Sequence, residues 1–197
     1  MSREGGNKGQ YLIEPSFEIS EFIEKINKLS YENFPIDQVL RLLQKEAPTL
    51  AMLEPYIFFS NARYTRNLIH KAPDFDLLLL CWGPGQHSPV HGHEGQKCWM
   101  KVLDGRLEFT DYQEEPPHER RLLSPLTVNI GEAGYVDGPA GIHAVGNAFD
   151  IPAISLHLYA LPFEQCDVYN LDLNEKHKVS LTYHTIHGKI VAPEELR

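Results

Sequence analysis

From residue 60 onward the apolar residues arrive in short bursts, and the turn residues between them leave no room for long helices. The runs are RYTRNLIH (63–70), FDLLLLCWG (75–83), QKCWMKVLDG (96–105), RLEFTDY (106–112), YVDG (135–138), GIHAV (141–145) and AISLHLYA (153–160). Further strands are predicted over 119–123, 126–130 and 178–184. A chain of many short strands buries its apolar faces only by layering them, so the pattern calls for a sandwich or barrel. Asp104-Gly105, lying between two apolar runs, predicts a hairpin turn there.

Upstream the period changes to that of a helix. Ile19, Phe22, Ile23, Ile26 and Leu29 recur at helical spacing over 20–29, with Ser20 as the predicted N-cap ahead of Glu21 and Glu24. Residues 35–46 start on Pro35 and carry Ile36, Val39, Leu40 and Leu43 on one stripe. A short third helix is predicted over 49–54. The polar start of the chain, residues 1–15, is expected to be disordered. The remainder, 16–197, reads as one domain: a helical cap over 16–58 and a β body over 60–190.

Charge and cysteine usage narrow the function. The net charge is −9, which argues against a nucleic-acid or anionic-membrane surface. No apolar run approaches the roughly 20 residues that span a bilayer, and the first residues carry no apolar signal core. Three cysteines, Cys81, Cys98 and Cys166, form neither a CxxC pair nor an even disulfide set. A cytoplasmic monomer is the expectation.

Ten histidines carry the chemistry. In the segment Gly85-Gln86-His87-Ser88-Pro89-Val90-His91-Gly92-His93, Pro89 favours an extended chain. His91 and His93 then point to the same face, within reach of one metal. His143, in Gly138-Pro139-Ala140-Gly141-Ile142-His143, is the candidate third ligand on a separate strand. The plainer alternative makes His91 and His93 exposed loop residues and His143 a core histidine. His70, His118, His177, His184 and His187 have no motif support, and His87 lies beside the pair but outside it.

These residues resemble the two motifs of the cupins. The first, G-x5-H-x-H-x3–4-E-x6-G, is matched by Gly85, His91, His93 and Gly105, with Cys98 standing where the glutamate belongs. The second is matched more loosely by Pro139, Gly141, His143 and Asn147. Three neutral imidazoles without a carboxylate leave the full charge on a divalent metal, which favours an anionic ligand such as a thiolate. With Cys98 for glutamate, the chain resembles the cysteine dioxygenases. The segments Tyr64-Thr65-Arg66-Asn67-Leu68, Leu78-Leu79-Leu80-Cys81-Trp82-Gly83 and Ser155-Leu156-His157-Leu158-Tyr159, followed by Pro162-Phe163 and Cys166, strengthen the likeness.

The resemblance implies a mainly β fold, a cupin jelly-roll β-barrel with the helical cap at its N-terminal side. It implies Fe²⁺ held by His91, His93 and His143, and conversion of L-cysteine and O₂ to L-cysteine sulfinic acid. Arg66 would take the substrate carboxylate, Tyr64 would buttress that pocket, and Cys166 would lie near its mouth. Ser155, His157 and Tyr159 would form a hydrogen-bonded row. A thioether between Cys98 and Tyr159 would serve as a protein-derived cofactor. The family's Ser-Pro-Pro-Phe is Ala160-Leu161-Pro162-Phe163 here, and the peptide bond before Leu161 is expected to be trans, since cis would cost roughly 3 kcal/mol. Taken alone, Arg66 reads as a solvated charge and Tyr159 as core packing. Other readings are a dioxygenase for 3-mercaptopropionate or cysteamine, a non-enzymatic metal-binding cupin, and a zinc or nickel cupin.

Overall fold

The structure is a computed structural model that describes residues 14–93, 95–115, 119–122, 126–128, 131–136 and 141–191. The expected disorder of 1–15 falls almost wholly outside these residues. So do Gly138, Pro139 and His118.

Helix α1 spans Phe17–Ser30 and buries Ile19, Phe22, Ile23 and Ile26. It starts three residues before the predicted point. Ser16, not Ser20, is the cap, its hydroxyl accepting from the Ile19 N–H at 3.4 Å. The N–H of Ser20 is already committed to the Ser16 carbonyl at 2.9 Å, so Ser20 sits inside the first turn. Helix α2 (Ile36–Glu46) buries Val39, Leu42 and Leu43. Ile36, expected on that stripe, is 37% exposed, and Leu42 is buried beside Val39 and Leu43 instead. Helix α3 (Leu50–Leu53) runs into a 3-10 turn over Glu54–Tyr56.

The strands are β1 (Thr65–Lys71), β2 (Phe75–Trp82), β3 (Val90–His91), β4 (Lys97–Asp104), β5 (Leu107–Glu115), β6 (Glu119–Leu122) and β7 (Leu126–Val128). They continue with β8 (Ala133–Val136), β9 (Ile142–Gly146), β10 (Ala153–Ala160), β11 (Gln165–Asn170), β12 (Glu175–Ser180), β13 (Thr185–Ile186) and β14 (Lys189–Ile190). One sheet has the order β14-β13-β1-β2-β10-β4-β8, the other β12-β11-β3-β9-β5-β6, with β7 also on β5. This is the expected jelly roll; among the described residues the two sheets stay separate hydrogen-bonded ladders.

Every residue of β2 and β10 is buried. That follows from the layering. Leu77, Leu79, Cys81, Leu156 and Leu158 face the helical cap. Leu78, Leu80, Trp82 and Tyr159 face the space between the sheets. Phe34 pins the cap to the sheet, its ring 6.2 Å from Phe75 and 6.1 Å from Trp99.

Two predicted features change. Asp104-Gly105 does not close a hairpin: β4 pairs with β10 and β8, whereas β5 pairs with β9, β6 and β7. The turn is a corner that carries the chain from one sheet to the other. Gly105, at φ +68, is needed because a Cβ there would press on the Pro152 carbonyl and stand 2.8 Å from Ala153 Cα. The strand predicted over 178–184 runs over Glu175–Ser180, fixed by its pairing with β11. β11 itself, with β13 and β14, gave no clear period-2 signal and exists through its partners.

Candidate metal centre

The strand β3 is two residues long, yet it sits in the middle of the second sheet. His91 pairs with Val168 of β11 on one side and with His143 of β9 on the other. His93 follows two positions on, so the predicted alternation brings its ring to the same side. The ring centroids of His91 and His143 are 4.7 Å apart, those of His93 and His143 4.8 Å, and those of His91 and His93 5.3 Å. One ligand atom from each lies within 4.8 Å of the others, and among the described residues no carboxylate or thiol joins them.

The donor set fits a divalent metal. Both ring nitrogens of His93 are buried without a hydrogen-bond partner, a costly state that a bound ion would relieve. His91 Nδ1 lies 3.0 Å from the Pro89 carbonyl, so it carries the proton and leaves Nε2 as the free lone pair. Burial, then neighbouring imidazoles, holds His93 and His143 well below the ordinary histidine range. All three rings are therefore available as neutral ligands at neutral pH.

Ser88 ties the ligand loop to β9. Its N–H donates to the Val145 carbonyl at 2.8 Å and its hydroxyl accepts from the Val145 N–H at 3.0 Å. Asn147, at the end of β9, donates to the Trp82 carbonyl at 3.1 Å and to the Ile151 carbonyl at 2.8 Å. The cupin-motif asparagine thus locks the His143 strand onto β2.

Arg66 on β1 and Tyr64 just before it line the same chamber as the three histidines, with Cys98, His157 and Tyr159. The Arg66 Nε is buried without a partner, and its guanidinium carbon lies 5.4 Å from the centre of the Tyr159 ring. Tyr64 stacks on Trp82 at 4.4 Å and 12°. On β10, Ser155, His157 and Tyr159 alternate onto the chamber side. Trp82 Nε1–H donates to Ser155 Oγ at 2.9 Å, and Ser155 Oγ lies 2.8 Å from His157 Nε2. The His157 and Tyr159 rings are near parallel at 5.9 Å and 15°.

Cys98 stands directly opposite Tyr159 in the β4–β10 ladder. Burial pushes its thiol up to about 12, and burial together with Cys98 raises the Tyr159 phenol. Both groups are therefore protonated at neutral pH. Outside the chamber opens a cavity of about 320 Å³ whose wall includes Arg63, Arg66, His91, Cys166 and His184. Cys166 is buried in that wall.

The structure places Tyr64, Arg66, His91, His93, Cys98, His143, His157 and Tyr159 around one chamber, with Ser155 hydrogen-bonded to His157 and Cys166 in the wall of the outer cavity. It adds two that sequence reasoning left without a role. Trp82 bridges Tyr64 and Ser155. Phe163 packs beside the chamber, its ring 6.1 Å from His93 and 6.0 Å from Tyr159. Neither has a local pattern that marks it, because each acts through strands distant in sequence. Leu161 takes φ +56 and donates its N–H to the Asp74 carbonyl at 2.7 Å. A proline could do neither, so the chain here follows its own path.

Two facing sheets with three imidazoles between them define a metal-binding cupin. Residues 19–172 match the family described as cysteine dioxygenase type I. Cysteine dioxygenase type 1 of Rattus norvegicus is 33% identical over 157 residues, covering 78% of this chain and 78% of its own. That of Homo sapiens is 34% identical over 68% of each chain, and that of Bos taurus 30% identical over 86% of this chain and 88% of its own. A double-stranded β-helix protein of Klebsiella pneumoniae superposes with TM-score 0.46 at 18% identity, over 55% of this chain and 85% of its own. The chain belongs to the cysteine dioxygenase type I family.

Proposed function

We propose that this protein oxidises the thiol of L-cysteine to L-cysteine sulfinic acid with O₂, using Fe²⁺ held by His91, His93 and His143. The observation that carries the reading is the pairing of three neutral imidazoles, without a carboxylate, with an unpartnered Arg66 nitrogen in the same chamber. The first supports a metal that seeks an anionic thiolate. The second supports a carboxylate at the other end of a small molecule.

The balance needs no further reductant: R–SH and O₂ give R–SO₂H, both oxygen atoms passing to sulfur as it is oxidised by four electrons. A ferrous ion held by His91, His93 and His143 would supply a site for the thiolate and activation of O₂. The remaining work belongs to the chain. Arg66 holds the substrate carboxylate through its planar fork, and Tyr64, stacked on Trp82, keeps that fork from swinging away. Leu80, Phe109 and Val145 line the chamber with apolar surface and limit water around the reacting sulfur. Tyr159 presents a protonated phenol, and His157 with Ser155 stands behind it as a hydrogen-bonding row. A thioether between Cys98 and Tyr159, which face each other across the ladder, would fix the phenol and remove the thiol from the chamber.

The test is anaerobic reconstitution with Fe²⁺ followed by O₂ uptake and sulfinate formation with cysteine, cysteamine and 3-mercaptopropionate. Iron-dependent conversion is expected with cysteine foremost. Preference for another thiol would move the substrate; no uptake with any of them would remove the enzyme reading.

A further inference from the structure

The Ser155 hydroxyl is fully buried and has two hydrogen-bond neighbours of unequal kind. Trp82 Nε1, at 2.9 Å, can only donate. His157 Nε2, at 2.8 Å, can donate or accept depending on where the ring carries its proton. A hydroxyl has a single proton. If His157 Nε2 carried one too, Ser155 would accept from both neighbours, and its own proton would be buried with no acceptor. Such an orphan costs about 1–3 kcal/mol. A doubly protonated ring meets the same objection. The arrangement that leaves neither the Ser155 proton nor His157 Nε2 unpaired runs one way: Trp82 donates to Ser155, and Ser155 donates to His157 Nε2.

We infer that Trp82 is a positioning residue whose indole N–H turns the Ser155 hydroxyl proton toward His157 and so holds His157 as the Nδ1–H tautomer. The Nδ1 atom is buried with no partner in the protein, on a ring that lines the metal chamber. Trp82 therefore determines that the free edge of His157 is a donor and not an acceptor. Trp82 is itself held fast. The residue is 1% exposed, its backbone carbonyl accepts from Asn147 Nδ2 at 3.1 Å, and its ring stacks on Tyr64. One side chain thus joins the strand that bears His143, the wall of the carboxylate pocket and the β10 row. The tautomer follows from hydrogen bonding alone; its effect on turnover rests on the thiol dioxygenase reading.

The test reads the tautomer directly. In full-length metal-free protein with ¹⁵N-labelled histidine, a long-range ¹H–¹⁵N correlation spectrum distinguishes the two neutral forms, with the His157 signals assigned from their loss in His157→Gln. The Nδ1–H form is expected in the unmodified protein, and a mixture in Trp82→Phe, which keeps a ring on Tyr64 but lacks the N–H. An Nε2–H form in the unmodified protein, or an unaltered tautomer in folded Trp82→Phe, overturns the inference. Should Trp82→Phe fail to fold, the spectrum of the unmodified protein decides alone.

Kinetics of the iron-loaded enzyme give a second readout. Trp82→Phe and Ser155→Ala should each lower kcat by about tenfold, with KM for cysteine within about twofold. The double variant should lose no more than Ser155→Ala alone, because the N–H acts through that hydroxyl. Additive losses would show that Trp82 acts by another route. If the unmodified protein oxidises no thiol, the functional proposal fails while the tautomer result stands.

Discussion

Replacing Arg66 by Gln separates the carboxylate pocket from the metal centre. The substitution removes the charge and shortens the donor's reach but leaves the three histidines untouched. Truncating one partner of a buried, hydrogen-bonded charge pair costs about 2–5 kcal/mol. Arg66 is half-buried: its Nε is sealed in the protein while its side chain borders the outer cavity. Solvent reaching the guanidinium screens the interaction and places the loss at the lower end, about 2–3 kcal/mol, or about 30- to 160-fold in kcat/KM for cysteine. Most of that should appear as a raised KM. Cysteamine has the thiol and the amine but no carboxylate, so its kcat/KM should not fall. Arg66→Lys should recover part of the loss, because it restores a point charge without the fork. The assay is sulfinate formation at matched iron content across a range of each thiol. An equal loss for cysteine and cysteamine, or an unchanged KM for cysteine, would refute the assignment.

Three further outcomes are expected. Intact-mass measurement after aerobic turnover should reveal a species lighter by about two protons, the signature of Cys98–Tyr159 coupling, and Cys98→Ser should never show it; a full sequence mass in the unmodified protein after exhaustive turnover counts against the thioether. Gly105→Ala should destabilise the fold by roughly 2–4 kcal/mol, from the left-handed backbone and the collision with Pro152 and Ala153, and a loss under about 1 kcal/mol in urea unfolding would contradict the corner geometry. His157 is held at about 3 by burial first and the Arg66 charge second, whereas in the unfolded chain it titrates near 6.5. Between those values the unfolded chain binds a proton that the folded chain refuses. Metal-free protein should therefore lose stability as the pH falls through that window, by up to about 1.4 kcal/mol per unit for this group. His157→Gln should flatten the slope, and an unaltered slope would remove the buried neutral ring from the account.

The histidine centre was legible because its geometry is local. An H-x-H pair in an extended segment faces one way whatever surrounds it, and Pro89 with the flanking glycines marks the segment as extended. The alternation of Ser155, His157 and Tyr159 was readable for the same reason. The corner at Gly105 was not. A Gly after Asp between two apolar runs signals a turn, and the turn is there, but whether the next strand pairs back or crosses to another sheet depends on Pro152 and Ala153, which lie far along the chain. Phe163 and Trp82 were invisible as functional groups because an aromatic in an apolar run packs into a core by default. Leu161 departs from the family's proline in the sequence, yet only the structure reveals a left-handed backbone there.

The sequence by itself determined the layered β architecture, the helical cap, the three imidazoles and the missing carboxylate, since these rest on residue type and on periods of two and 3.6. Tertiary structure decided the rest: that His143 lies across from His91, that Cys98 faces Tyr159, that Arg66 enters the chamber with an unsatisfied nitrogen, and that an indole N–H reaches Ser155. Each of these is a contact between strands separated by tens of residues. Sheet order and register set such contacts, and both come from the global packing of apolar faces rather than from any short stretch of chain.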